Sequence, residues 1–509
     1  MTQYNVILFT DMNSSFWHAK PMGAYRLASE LRKHGYTATV IDFFGEWLAD
    51  PKLFNQLLDL LVSDQTLFIG FSSVFFTEHQ VQAPDIRSYE DLKQYKKTAW
   101  PLYDDRMKLY FGLIRRKFPH VKLVHGGIHE GHVVGRQVTD YVDFVITGLA
   151  DTTVIELANH LSKNTSLKYM PSTGKAKLLA HDVRASSFDF PNCVVDYAPE
   201  DHVMPGEVLP METSRGCLFK CSFCDYPLIG RKKGDPDYHK TVDIIAHEFR
   251  RNFERYQVNK YFFVDDTFNE STTKLQEILR ARDISGVDIR FECYLRADLL
   301  ARFPEQIPLL KELGIESTIL GIESLYLPSA QAIGKSTHPE KVKEVMYRLK
   351  EDDSIRVFAS FIVGLPEDNP DTLSTWTDWV LDSSCPADGF RFVPLGISGM
   401  SEICQNPEKF GYTVTPDHKY WSNKHWDLPQ ASKYAAKLME TAWATDRIKL
   451  AGFDYLGMQN FNFSADQMTN ILNTPMNKLD YKMLYNKRIE QWHLYKTKVL
   501  HYETVDKHK

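Results

Sequence analysis

"ETSRGCLFKCSFCDYP", residues 212–227, gathers Cys217, Cys221 and Cys224 into eight positions of a 509-residue chain that has only seven cysteines. The apolar run before it, "EVLP", reads as a strand, and the spacing over 240–256 predicts a helix. The three thiols therefore belong to a strand-to-helix loop, on the face where β/α barrels carry out chemistry. Three thiolates can hold a [4Fe–4S] cluster and leave one iron without a protein ligand. Structural zinc asks for four ligands with paired spacing. No second CxxC is present, and a fourth ligand such as His239 has to come from elsewhere. An odd cysteine count also argues against a disulfide framework.

Downstream of the cysteines the β/α rhythm repeats. "KYFFVDD", "DIRFECYLRAD", "ESTILGIES", "RVFASFIVGLP" and "GFRFVPL" read as strands, separated by helices over 271–283, 304–312, 339–350 and 371–382. With the first strand this makes about six β/α units, fewer than the eight of a closed barrel. Upstream, "YNVILFT", "TATVIDF", "QTLFIGFSSVFF", "VKLVHGG" and "VDFVITG" alternate with helical spacing, such as Leu27 and Leu31 before the Lys33-His34-Gly35 stop. Strand runs that are apolar throughout mean a parallel sheet covered on both faces, whose ligands lie beyond the carboxyl ends of its strands. A polar insertion covers roughly 78–104.

The fold class is thus α/β. A doubly wound, Rossmann-like domain occupies 1–160, and 161–205 reads as a linker with a hairpin. A partial (β/α)6 barrel follows over 206–400, then a mostly helical region over 401–509. The Trp, Tyr and Leu stripe in "YKMLYNKRIEQWHLYKTK" is expected to pack against the barrel. A net charge of −6 offers no whole-chain basic field for nucleic acid. No apolar run reaches the length of a membrane span, and the N-terminus lacks the marks of a signal peptide. The expected location is the cytoplasm, where thiols stay reduced.

The cysteine stretch resembles the radical S-adenosylmethionine (SAM) signature CxxxCxxC, including the Ser-Arg-Gly before it and the aromatic before its last cysteine. "YFFVDDTFN", "YLRAD", "LGIES" and "SFIVGLPED" resemble the later strand motifs of that superfamily, in order, over about 200 residues. The resemblance implies that Cys217, Cys221 and Cys224 hold a [4Fe–4S] cluster. Its open iron would chelate SAM, and reductive cleavage would give a 5′-deoxyadenosyl radical. It further implies that Phe223 and Tyr226 wall the adenine and that Arg296 pairs with the methionine carboxylate. Glu323 would accept from the ammonium or ribose, Gly364 would let the backbone approach the adenine, and Asp265 would be a further cofactor-binding residue; the alternative for Arg296, Glu323 and Asp265 is a structural ion pair around the barrel rim. The electron donor implied is a flavodoxin or a ferredoxin.

The N-terminal segments "PMGAYRLASELRKHGYTATVIDF", "GFSSV", "LVHGGIHEG" and "DFVITGLAD" resemble the cobalamin-binding subgroup. That implies a corrinoid at the strand ends, with Gly126 and Gly127 allowing close approach and Ser72 and Ser73 reaching its nucleotide tail. The Asp-x-His-x-x-Gly motif is absent, which leaves the lower axial position unassigned. His125, His129 and His132 read as polar residues lining the crevice. The function implied is a cobalamin-dependent radical SAM enzyme that functionalises an unactivated carbon, most simply by C-methylation. The alternatives are a radical SAM enzyme without cobalamin, whose first domain recruits substrate, and a zinc-stabilised binding protein. No motif names the substrate or a catalytic residue.

Overall fold

The computed structural model describes residues 3–11, 20–72, 105–127, 140–172, 174–180, 187–226, 228–335, 337–397, 399–416 and 420–505. The insertion expected over 78–104, together with Ser73, His129 and His132, lies outside them. Five strands, β1 (Val6–Phe9), β2 (Ala38–Ile41), β3 (Phe68–Ser72), β4 (Lys122–Gly127) and β5 (Phe144–Thr147), pair in parallel in the order β2-β1-β3-β4-β5. Nearly every residue in them is buried, because both faces of the sheet are covered. Alternation divides the faces. Val6 and Leu8 enter the core shared with the second half of the chain, whereas Ile7 and Phe9 enter a separate core with Phe44, Phe54 and Phe71.

The stretch expected to be a linker is largely structural. Helix Thr153–Lys163 leads to β6 (Met170–Pro171) and β7 (Lys177–Ala180), a hairpin whose second strand extends the first sheet by pairing in parallel with β5. Cys193, Val195, Tyr197 and Val203 are buried. Asp201 accepts two hydrogen bonds from Arg32, at 2.8 and 2.5 Å. This segment looks like linker in sequence because its buried apolar residues are scattered and not gathered in one run.

The second sheet contains β8 (Leu209–Met211), β9 (Lys260–Phe263), β10 (Arg290–Arg296), β11 (Ile315–Glu323), β12 (Arg356–Val363) and β13 (Gly389–Pro394), all parallel and in sequential order. β8 and β13 do not pair with each other, so the barrel is open. Helix Leu428–Ala444 lies along the β13 edge, where Phe392 N–H contacts Met439 Sδ at 3.2 Å, and so covers a strand edge that would otherwise be exposed. Gly452 closes the barrel floor, its N–H donating to Ser317 Oγ at 2.6 Å; a Cβ there would meet Ile319 at 2.9 Å. Among the described residues no helix is long and apolar enough to cross a membrane.

The last helix, Tyr481–Val505, does not place its aromatic stripe on the barrel. Trp492, Tyr495 and Val499 join the second core of the N-terminal domain, with Trp492 edge-on to Trp47 at 4.8 Å. Tyr495 Oη accepts from Asp42 N–H at 2.8 Å. Lys20, fully buried, is paired with Asp42 at 3.0 Å and Glu207 at 3.4 Å. An amphipathic stripe specifies an apolar neighbour but not which one, and here the N-terminal sheet supplies it. Trp492→Ala is expected to cost about 3–5 kcal/mol by emptying this contact, read as a lower denaturant midpoint for unfolding of the N-terminal domain.

Candidate functional site

The cysteine loop leaves β8 and is fastened on three sides. Asp265, just beyond β9 and buried, accepts from Thr213 N–H at 2.7 Å and Ser214 N–H at 3.2 Å, and it also binds the Thr213 hydroxyl and Lys274 Nζ. Both of its oxygens are therefore engaged by protein. Two positions on, Thr267 Oγ1 lies 3.3 Å from Cys217 Sγ. Asn269 exchanges hydrogen bonds with the backbone of Arg296, at 2.9 and 3.2 Å. The segment "DDTFN" thus ties the end of β9 to the cysteine loop and to the end of β10.

Arg296 is the second fastening. Its guanidinium forms a two-pronged pair with Asp298, at 3.1 and 2.8 Å, and directs Nη1 to Cys221 Sγ at 2.9 Å, while stacking over Phe219 at 4.2 Å. A bidentate pair fixes the plane of an arginine, so Asp298 aims the remaining donor at the thiol. Glu323 ends β11 with φ +67°, in the left-handed region that non-glycine residues seldom enter. Its carboxylate is held by Lys335 Nζ at 2.9 Å, which also donates to Gly321 O at 2.9 Å. Gly364 has φ +89°, and a Cβ there would meet the Trp421 ring at 2.6 Å. Phe223 is partly buried against the main core. Burial raises the Tyr226 phenol well above its ordinary range, reinforced by the charges of Asp266 and Glu212.

The third fastening joins the two halves of the chain. Arg215, two residues before Cys217, reaches Asp151 at the end of β5 through Nη1 at 3.0 Å and Nη2 at 3.3 Å, and donates from Nε to Glu212 at 3.2 Å. Arg26, from helix Met22–Lys33, bonds Glu212 and contacts Cys193 Sγ at 2.9 Å. Arg215 also lies over the Phe190 ring at 4.6 Å. Burial opposes ionisation of Glu212, but Arg26 and Arg215 override it and hold the carboxyl at about 2. Removing one member leaves a buried charge uncompensated, so Arg215→Ala is expected to destabilise the chain by about 3–5 kcal/mol. Chemical denaturation measures this, and the loss should exceed that of Arg215→Lys.

Cys217 and Cys221 are buried and Cys224 is half-buried. Burial pushes the Cys217 thiol up and the Cys224 thiol up to about 12; Cys221 adds to the rise at Cys217, and Cys221 and Cys217 both add to it at Cys224. The three are therefore spatial neighbours. Among the described residues, however, no three His, Cys, Asp or Glu side chains are gathered closely enough to enclose a single metal ion. One zinc ion would draw its sulfurs to bonds of about 2.3 Å around one point, whereas a four-iron cluster takes them at separate corners. Three neighbouring thiols on one loop match the number and kind of donors that a four-iron cluster takes while leaving one iron open. His239 turns toward Glu277, at 3.8 Å.

At the carboxyl ends of the first sheet, Thr10 after β1 and Thr147 in β5 carry buried hydroxyls with no hydrogen-bond partner among the described residues. Gly126 and Gly127 end β4 between β3 and β5, and Ser72 ends β3. Orphaned polar atoms beside residues with little or no side chain fit a large ligand with a polar rim. His125 is buried, and desolvation lowers its imidazole to about 3.

Sequence reasoning missed Asp151, Thr267, Asn269, Asp298, Lys335 and Asp266. Asp266, half-buried after β9, accepts no hydrogen bond among the described residues, and burial beside Asp265 and Glu212 pushes its carboxyl up to about 8. The folded chain then keeps a proton that the unfolded chain releases between the ordinary carboxylate range and about pH 8, so this group costs stability as pH rises through that window. In the metal-free protein, Asp266→Asn is expected to melt at least about 2 °C higher at pH 8 and unchanged at pH 4, by calorimetry.

Residues 211–380 match the family described as the Radical SAM superfamily. An uncharacterised methyltransferase of Pyrococcus horikoshii is 24% identical over 319 residues, 58% of this chain and 66% of that protein. The bacteriochlorophyllide d C-12(1)-methyltransferase of Chlorobaculum tepidum is 22% identical over 179 residues, 35% of this chain and 38% of that protein. The chain thus spans less than two thirds of the length of these curated relatives. Among solved structures, the radical SAM methyltransferase TsrM of Kitasatospora setae, with cobalamin and a [4Fe–4S] cluster bound, superposes with a TM-score of 0.61 over 96% of this chain and 100% of its own, at 14% identity. The cobalamin-dependent enzyme OxsB, with aqua-cobalamin and SAM bound, gives 0.53 over 96% and 72%, at 15% identity. At these identities the likeness is one of fold.

Proposed function

We propose, from the premise that this chain is a member of the radical SAM superfamily through residues 211–380, that it cleaves SAM reductively and functionalises an unactivated carbon by cobalamin-dependent C-methylation. The observation that carries the reading is the placement of three neighbouring thiols at the mouth of an open parallel barrel. Arg215 and Asp151 join that loop to the strand ends of a doubly wound sheet. The methyltransferase names of both curated relatives support methylation.

Cys217, Cys221 and Cys224 would hold a [4Fe–4S] cluster, which would supply an iron free to bind SAM and the electron for its reductive cleavage. Ser72, Ser73, Gly126 and Gly127 would receive cobalamin, which would supply a transferable methyl group. The chain's own residues hold these groups in register. Arg296 steadies the charge of the Cys221 thiolate, and Asp298 fixes the angle from which it does so. Phe223 and Tyr226 present an apolar wall to the adenine, with the backbone of Gly364 beyond them. Glu323, held by Lys335, offers an acceptor to the ribose or ammonium. Asp265 acts by bracing the loop. The reductant is a flavodoxin- or ferredoxin-type protein, and the setting is the cytoplasm.

Anaerobic reconstitution with iron and sulfide tests the reading. Absorption near about 400 nm from thiolate-to-iron charge transfer and release of 5′-deoxyadenosine from SAM are expected, with both lost in Cys217→Ala, Cys221→Ala and Cys224→Ala. A colourless, zinc-loaded protein overturns it. Stoichiometric hydroxocobalamin retained through desalting supports the methylation step; none retained moves the assignment to a radical SAM enzyme without cobalamin.

A further inference from the structure

Along β13, Phe390 and Phe392 are buried on the outer face, so Arg391 between them points into the barrel lumen. Ladder register sets its level. Arg296 pairs with Gly321, Gly321 with Ser360, and Ser360 with Arg391. Arg391 therefore shares one layer with the arginine that touches Cys221. The groups of that layer differ in what they have left to offer. Arg296 is engaged by Asp298 and Cys221. The place a side chain on Gly321 would take is filled by the Glu323–Lys335 pair, with Glu323 Oε1 at 3.0 Å and Lys335 Nζ at 3.3 Å. Arg391 is exposed and donates only from Nε, to Ser360 Oγ at 3.1 Å. Among the described residues its two terminal nitrogens have no partner, and no carboxylate pairs with it. The layer beneath is mostly apolar: Tyr294, Ile319 and Phe358, with Gly389 beside them.

We propose that Arg391, with its plane set by Ser360, is the anchor for a carboxylate on the substrate, whose apolar body lies on the Tyr294–Ile319–Phe358 layer. The proposal rests on the reading of the lumen as the active site given above. A substrate that fills the lumen strips water from the guanidinium, and a dehydrated charge has to be paired. Among the described residues the carboxylates of this layer are paired elsewhere, Asp298 with Arg296 and Glu323 with Lys335, so the substrate brings the counter-ion for Arg391. Two parallel donors match the two oxygens of a carboxylate.

The test uses reconstituted full-length protein and equilibrium dialysis with four probes: benzoate, benzamide, benzylamine and phenyl phosphate. Saturable benzoate binding is expected, at least tenfold weaker in Arg391→Met and partly restored in Arg391→Lys, with benzamide and benzylamine weaker than benzoate. A thermal melt establishes that the variants are folded; Arg391 forms a single hydrogen bond, so little loss is expected. Ser360→Ala, which keeps the guanidinium but releases its Nε, provides an independent variant, expected to weaken benzoate two- to fivefold. Equal binding by wild type and Arg391→Met, absence of saturable benzoate binding, or preference for benzylamine or phenyl phosphate overturns the proposal. Displacement of benzoate by SAM also overturns it, by assigning Arg391 to the cosubstrate. Release of 5′-deoxyadenosine in the same preparation separates the two readings. Its loss with benzoate discrimination intact sinks only the proposed function, and its presence without discrimination sinks only the carboxylate anchor.

Discussion

Arg215 holds Asp151 from inside the core, and both side chains are only 4% exposed. Charges at that depth are tolerated only when each finds its opposite, and this pair lies between two sheets that otherwise have separate ladders. Arg26 and Glu212 complete the set, so one helix of the first domain, the end of β5, and the start of the cysteine loop meet in a four-residue network. The relative position of the two ligand-bearing faces follows from it. A loop with three reactive thiols cannot depend on its own backbone for its position; here that is set by an ion pair two residues upstream and by "DDTFN" on its other flank.

What sequence could reveal depended on how far apart the interacting groups lie. The strands of both sheets were legible because burial on two faces writes continuous apolar runs. The cysteine trio was legible because its ligands are local. The pairing of Arg215 with Asp151 spans 64 positions and leaves no local trace. Asp298 sits two residues from Arg296 in "YLRAD", visible but mute, since nothing in the string says that it orients a guanidinium toward a thiol. Arg391 did carry a signal: in Phe-Arg-Phe the period of two sets it opposite two core aromatics. The stretch 187–205 writes no continuous apolar run; its burial rests on scattered side chains such as Val195, Tyr197 and Val203 and on Asp201 paired with Arg32.

Several residues nominated for cofactor contact also have work within the protein. Asp265 is saturated by backbone and lysine. Gly364 is small because Trp421 crowds it, and Trp421 is itself tied to Leu395 O at 2.8 Å. Glu323 accepts a left-handed backbone at a register shift in β11 and is stabilised there by Lys335. Strain retained at a strand end beside the thiols, and compensated by an adjacent lysine, is a way to hold a carboxylate where relaxed geometry would not put it.

The bond between Asp42 and Tyr495 joins positions 453 apart. During synthesis the N-terminal sheet emerges well before the aromatic wall that completes one of its two cores, the two being joined by a bond across 453 positions. Until that helix is made, the contacts of Phe43 and Trp47 with Trp492 and Tyr495 cannot form, and this face of the nascent domain stays open through the making of the entire barrel. Such long-range closure slows assembly and lengthens the time in which chains can stick to one another. The same topology acts as a checkpoint: a transcript cut short yields a first domain that never seals, which leaves it open to chaperones and proteases.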